Sequence, residues 1–252
     1  MTSRQITEKI EYLLSREKGT VFKDPGGRVN ICIVYPNIYH IGMSNLGLQG
    51  MYTLLNERRD VVCERAFLPD EEDREEYRRT GSEIVSMESR RPMNRFDIVA
   101  FSVSFENDYP NISGILRMSR IPVRAGERTQ FHPLVILGGV CAFFNPEPLA
   151  DFFDFCFVGE AEEMIAQFID AYKSSINRED LFRKATEIRG VYAPRLYEIT
   201  YHGDGRIKKR AAMADAPERI ERRFVKDLAG HGFRPSIITG ETEFRGCISP
   251  RR

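Results

Sequence analysis

Val29-Asn30-Ile31-Cys32-Ile33-Val34-Tyr35, running into Pro36-Asn37-Ile38-Tyr39-His40-Ile41-Gly42-Met43-Ser44-Asn45-Leu46-Gly47, is the stretch whose reading decides the fold. An almost continuous apolar run of strand length suits a strand buried on both faces, as in a parallel sheet covered by helices. The Gly-, Ser- and Asn-rich segment 36–47 reads as a loop. Leu48, Met51, Leu54 and Leu55 then recur at helical spacing and end near Asn56. Strand, loop and amphipathic helix in that order make the opening unit of a βαβ chain.

Working outward, the same unit recurs. Val61–Leu68 is a second strand, followed by a charged helix Asp70–Thr80, a short strand near Glu83–Met87 and a strand Asp97–Ser104. A helix runs from after Asn107 to about Arg120. Pro133–Leu137 is a strand closed by Gly138-Gly139, and Phe152–Val158 a strand closed by Gly159-Glu160, with a helix from Ala161 to about Tyr172. Strands alternating with helices imply parallel pairing and right-handed crossovers, hence an α/β doubly wound sheet of the Rossmann or flavodoxin type with helices on both faces.

Upstream, residues 3–16 carry Ile6, Ile10, Leu13 and Leu14 at helical spacing after a Ser3 start, and Asp24-Pro25-Gly26-Gly27 is a turn. Downstream the character changes. A short helix at Arg178–Ala185 precedes a hairpin through Gly190–Tyr201 and Arg206–Lys209, turned by His202-Gly203-Asp204-Gly205. Residues 214–245 have few apolar runs and read as a connector. The expected organisation is a helix and turn over 1–27, the main α/β domain over 28–176, a small α/β appendage over 177–212 and a linker over 213–252.

The 252 residues carry 37 Lys and Arg against 37 Asp and Glu, which argues against the basic footprint of a nucleic-acid or anionic-membrane binder. No run of eighteen apolar residues is present, the first eighteen residues are amphipathic, and a cytoplasmic protein is expected. Cys32, Cys63, Cys141, Cys156 and Cys247 form no close pair, so neither a disulfide framework nor a closed zinc site is indicated.

Open parallel sheets bind ligands at the carboxyl ends of their strands, near the point where strand order reverses. Here those ends carry Asn37, Tyr39, Gly42, Ser44 and Asn45, then Ser102 and Ser104, then Gly138-Gly139, then Gly159-Glu160. Small residues let a bulky ligand approach the backbone, and a helix starting after each loop offers free N–H groups. Turns also call for Gly, Ser and Asn on their own account, and Glu160 and Glu162 also complement a helix dipole. The loop lacks both GxGxxG and GxxxxGK[ST], which leaves dinucleotide and NTPase readings weak.

The segments Val34–Gly47, Ser86-Met-Glu-Ser-Arg-Arg-Pro92, Asp97–Phe105 and Leu137–Glu162, the last with its Gly-Gly, Asn-Pro-Glu-Pro and Val-Gly-Glu-Ala-Glu, together resemble the N-terminal region of radical S-adenosylmethionine (radical SAM) proteins with a cobalamin-binding-like domain. The resemblance covers most of residues 28–175. It implies a cobalamin lying across the strand ends at Asn37, Tyr39, Gly42, Ser44, Asn45, Ser102, Ser104, Gly138, Gly139, Gly159 and Glu160. At the position of a DxHxxG motif, which supplies an axial histidine, this chain has Asn37, Tyr39 and Gly42, and His40 is one residue out of register.

The resemblance further implies that such a chain leads to a barrel whose CxxxCxxC motif holds a four-iron, four-sulfur (4Fe-4S) cluster that binds S-adenosylmethionine. Cys247 stands at the first ligand position and Arg251 at the second, so neither cluster nor S-adenosylmethionine is expected on this chain alone. The expected partner is a radical SAM catalytic domain or subunit, with no nucleic acid and no membrane. Two further readings stay open: an interaction scaffold docking through residues 206–223, and an independent small-molecule enzyme using Glu106, Glu147 or Glu160 as acid or base.

Overall fold

The structure, a computed structural model, describes residues 3–213, 216–225 and 237–242. Chain order runs α1 (Arg4–Ser15), β1 (Glu17–Lys18), β2 (Val29–Tyr35), α2 (Tyr39–Met43), α3 (Leu46–Glu57), β3 (Val61–Phe67), α4 (Glu71–Thr80), β4 (Ile98–Ser102), α5 (Tyr109–Met118), β5 (Leu134–Gly138), α6 (Val140–Phe144), β6 (Phe155–Phe157), α7 (Ala161–Ser174), α8 (Arg178–Thr186), β7 (Val191–Tyr192), β8 (Tyr197–Tyr201), β9 (Ile207–Ala212) and β10 (Ile238–Thr239).

Six strands form the main sheet in the order β3-β2-β4-β5-β6-β7, the first five parallel and β7 antiparallel to β6. Counted by appearance, the parallel strands follow the order 2-1-3-4-5 of a doubly wound sheet, with its switch point between β2 and β4. The strand Val29–Tyr35 sits next to that point. Its side chains alternate between two cores, as the period-two geometry of a strand demands. Ile31, Ile33 and Tyr35 face the layer containing Leu48, Tyr52, Phe168 and Phe182, while Cys32 and Val34 face Ile112, Ile115 and Leu116.

The edge strand β3 is buried along its whole length although Glu64 and Arg65 lie within it. The expected strand at Glu83–Met87 is instead a one-residue bridge, Val85 to Pro92, closing a turn that lies along the β3 edge. Pro92 has no N–H to extend a ladder, and Arg90 adopts a left-handed φ of 57°. Main-chain pairing consists of Met87 N–H donating to the Arg65 carbonyl at 2.7 Å and, within the turn, Ser86 N–H to the Arg91 carbonyl at 2.9 Å and Met93 N–H to the Ile84 carbonyl at 3.1 Å. The Glu88 carboxylate does the rest, accepting from Arg65 N–H at 2.8 Å and from Arg65 Nε at 2.7 Å.

From the other side Glu17, on β1, accepts from both terminal nitrogens of Arg65 at 2.8 and 2.7 Å. The side chains of Glu17, Arg65 and Glu88 are 0%, 1% and 2% exposed, so this is a dry ion triad. Burial works against the charge of Arg65, yet Glu88 and Glu17 hold its pKa well above the ordinary value. Next to it Glu64 accepts from the hydroxyls of Ser86 and Ser89 at 2.5 and 2.6 Å. The Ser86–Pro92 motif thus closes an exposed sheet edge, which otherwise invites pairing with another chain.

The tail differs from the expected organisation. α8 contributes Leu181 and Phe182 to the core and β7 joins the main sheet, so residues 178–192 are continuous with the main domain. β8 and β9 form a separate antiparallel hairpin, anchored on the core through Tyr197. The presumed connector folds back twice. Residue 223 bridges Gly159, and β10 pairs antiparallel with β1, matching Glu17 with Thr239.

Candidate functional site

The carboxyl edge of the sheet holds two adjoining features. At the switch point, the loop after β2 meets the loop after β4. Asn37 Nδ2 donates to Asp108 Oδ1 at 2.8 Å, and Asn45 Nδ2 donates to Ser104 Oγ at 3.0 Å. Asn45 also caps α3, its Oδ1 accepting from Leu48 N–H at 2.9 Å, so one short side chain fixes both helix start and loop contact. Burial raises the pKa of the Tyr35 hydroxyl, against hydrogen bonds from Ser104 and Asn45.

Beside this crevice a cavity of about 210 Å³ opens between α3 and α7. Its floor is Ile33, Ala100, Phe101, Ile136 and Phe157, and its rim is Gly47, Ser102, Gly138, Gly139, Gly159, Glu160 and Glu162. Ser102, Gly138, Gly139, Gly159 and Glu160 therefore meet in one place, whereas Asn37, Asn45 and Ser104 belong to the crevice. Ser44 is the C-cap of α2, its hydroxyl donating to the His40 carbonyl at 2.8 Å. Tyr39 donates its hydroxyl to Glu17 Oε1 at 2.6 Å and packs edge-on against Phe67, which ties it to the ion triad. Gly42 abuts the Phe67 ring and the Tyr35 side chain. Cys247 lies outside the described residues.

Two glycines at the rim are set by backbone crossings. Gly139, at φ +92°, would place a Cβ 2.6 Å from the Val103 carbonyl oxygen, and Cys141 N–H donates to that same carbonyl. Gly159, at φ +124°, lies directly against the backbone of Arg223. There the tail is held against the rim residues: Glu160 N–H donates to the Arg223 carbonyl, Arg223 N–H to the Val158 carbonyl, and Val225 N–H to the Glu160 carboxylate. The Arg223 side chain reaches Glu163 at 2.6 Å and Gln167 at 2.8 Å, and Arg222 lies over the rings of Phe143 and Phe224.

Sequence reasoning missed Asp108. It is 4% exposed, and burial raises its pKa against the opposing hydrogen bond from Asn37. Its position before Tyr109-Pro110 reads as a helix cap, yet it makes no cap bond from its side chain. Its Oδ2 has no hydrogen-bond partner among the described residues, and neither has Glu162 Oε2 in the cavity rim. His40 donates from Nδ1 to the Glu241 carbonyl at 2.8 Å, which places the returning tail against α2.

Ile41, Leu46, Phe105, Val140, Phe144 and Phe224 are large apolar side chains left exposed on the segments that surround this edge. A larger concavity of about 1220 Å³ lies at the opposite, amino edge, walled by residues that include Asp97, Arg128, Asp154, Arg178 and Arg195. Its charges satisfy one another: Arg128 with Asp154 at 2.9 Å and Arg195 with Glu179 at 2.9 Å. Among the described residues no group of three His, Cys, Asp or Glu side chains is placed to hold a metal ion, and no helix is long and apolar enough to cross a membrane.

The parallel sheet with its 2-1-3-4-5 order and flanking helices puts the domain in the Rossmann-like α/β class. A family model described as radical SAM proteins, N-terminal, matches residues 47–194, more than half of the chain, and the chain belongs to that family. It is 28% identical over 164 residues to the uncharacterized protein MJ0966 of Methanocaldococcus jannaschii, covering 65% of this chain and 29% of that one. It is also similar to the radical S-adenosylmethionine methyltransferase TsrM from Kitasatospora setae, solved with tryptophan substrate and an S-adenosylmethionine analogue bound, at 15% identity and a TM-score of 0.41 over 70% of this chain and 29% of that chain. The chain thus spans less than a third of the length of either relative.

Proposed function

We propose that this chain is the accessory domain of a radical SAM protein and carries a corrinoid across the carboxyl edge of its sheet, presenting it to a catalytic domain or subunit that docks there. The observation that carries the reading is the meeting of Ser102, Gly138, Gly139 and Gly159 around one cavity next to the switch point. At about 210 Å³ the cavity falls below the roughly 300–1,000 Å³ usual for a whole small-molecule ligand. It would admit one arm of a macrocycle, and the exposed Leu46, Phe105, Val140 and Phe144 would meet the part of the ligand left outside.

Asn37, Ser104 and Asn45 would meet the ring periphery on the β2 side, and Gly138-Gly139 the inserted arm. A bound corrinoid supplies a cobalt centre for methyl or electron transfer; the residues of this chain orient it and shield one face from water. No radical chemistry is assigned to this chain alone. The 4Fe-4S cluster and S-adenosylmethionine belong to the catalytic partner in this reading.

The test is titration of the chain with hydroxocobalamin, followed by visible spectroscopy and gel filtration. Colour travelling with protein at near-stoichiometric ratio is the expected result; colourless protein contradicts the corrinoid assignment. The scaffold reading has one observation in its favour, namely that Gly159 and Glu160 already engage the tail through Arg223 and Val225. In that case charge reversal in residues 206–223 abolishes partner binding while corrinoid is never retained.

A further inference from the structure

We infer that the carboxyl edge selects its ligand by neutral N–H donors, in the manner of a carboxamide, and refuses phosphate and carboxylate. Buried polar atoms in folded proteins are nearly always paired, so those left over mark where a partner is missing. Both leftover atoms at this edge are acceptors: Asp108 Oδ2 at the switch point and Glu162 Oε2 in the cavity rim, each without a partner among the described residues. Asp108 is 4% exposed and already takes one donor, Asn37, on its other oxygen.

The neighbouring carboxylates do not compete for the same ligand. Glu160 is engaged by Val225 N–H and Glu163 by Arg223. Among the described residues no Lys, Arg or His lines the cavity, so an anion entering here would meet Glu162 without a side-chain cation to offset its desolvation. An ammonium would leave water for a floor of Ile33, Phe101, Ile136 and Phe157, a cost a neutral amide avoids. A carboxamide donates to the waiting oxygen and brings an apolar stem for the floor.

The inference deepens the corrinoid reading, since a corrinoid bears carboxamides around its rim, but the chemistry is separable from it. The 252-residue chain is titrated with propionamide, propionate, propylammonium and inorganic phosphate, and the amide NMR signals of Gly138, Gly139 and Glu162 are followed. Propionamide is expected to shift them with at least about tenfold higher affinity than the other three, the size of one hydrogen bond to a charged acceptor. Glu162→Gln is expected to shrink that preference severalfold while the chain stays folded by its amide spectrum.

Equal response to propionate or phosphate, a tighter response to propylammonium, no response at those signals, or an unchanged preference in Glu162→Gln overturns the inference. The second arm compares hydroxocobalamin with cobyrinic acid, which carries carboxylates in place of the amides. Binding of the first and loss of the second supports the inference, and equal binding of both overturns it. Propionamide bound with neither corrinoid retained keeps the donor selectivity and removes the corrinoid reading instead.

Discussion

The β3 edge and the carboxyl edge of the same sheet treat buried charge in opposite ways. Beside β3, each carboxylate is answered: Glu17 and Glu88 by Arg65, Glu64 by Ser86 and Ser89. At the strand ends, Asp108 and Glu162 keep an oxygen without a partner among the described residues. The clasp answers all its carboxylates and leaves only a donor, Arg91 Nε, without a partner among the described residues, whereas the strand ends leave acceptors open, and an open acceptor is where a donor is owed. The difference separates two motifs that the sequence presents alike. Ser86–Pro92 is a structural clasp, and the small-residue turns after β4, β5 and β6 form the proposed binding edge.

The largest effect is expected at the clasp. Arg65→Met leaves Glu17 and Glu88 buried without their cation and costs about 3–5 kcal/mol, read as a fall in the urea midpoint. Adding Glu17→Gln and Glu88→Gln to that variant restores part of the loss. No restoration would mean that the triad is not the unit described here.

Next comes the crossing at the pocket rim. Gly139→Val puts a β-branched side chain at φ +92° against the Val103 carbonyl and is expected to destabilise by about 1–3 kcal/mol. The same variant disturbs ligand uptake, whereas Arg65→Met acts on stability. A stable Gly139→Val chain would show that the loops after β4 and β5 are not packed as described.

Acid titration sharpens the contrast within the triad. Burial pushes the Glu17 carboxyl up, but Arg65, Thr20 and Tyr39 outweigh it and hold its pKa below the ordinary value. Its contribution is therefore present above the unfolded carboxylate value and lost as pH falls through the depressed one. Glu88 is pushed up by burial in spite of Arg65, so its contribution is present below the unfolded value and lost as pH rises through the raised one. Urea midpoints measured against pH are expected to fall less steeply on the acid side in Glu17→Gln than in the parent chain.

The smallest effect is expected at the tail. Arg223→Ala removes a partly exposed pair with Glu163 and costs at most about 1 kcal/mol. It nonetheless loosens segment 216–225, seen as faster tryptic cleavage after Arg219 and Arg222. Unchanged cleavage would show that the backbone contacts at Gly159 hold the tail without the side chain.

Much of this was legible in the chain. Continuous apolar runs gave β2, β4, β5 and β6 their places, and Gly, Ser and Asn after each run pointed to the carboxyl edge. What escaped has a common cause in long-range pairing. Arg223 finds Gly159 and Thr239 finds Glu17 across separations that local pattern does not encode, so the tail read as a connector. Glu64 and Arg65 lie in an otherwise apolar strand, and nothing local reveals that Glu17 and Glu88 arrive to neutralise Arg65. Asp108 was hidden because an Asp before a helix start ordinarily caps it.

The most direct measurement is amide hydrogen exchange of the chain with and without saturating hydroxocobalamin, resolved by peptide. The account predicts slowed exchange over residues 37–47, 102–108, 138–145 and 159–163, with residues 84–92 and the amino-edge segments 125–132 and 175–179 unchanged. Protection at the amino edge, or no protection at the strand ends, would contradict a ligand seated on the carboxyl edge.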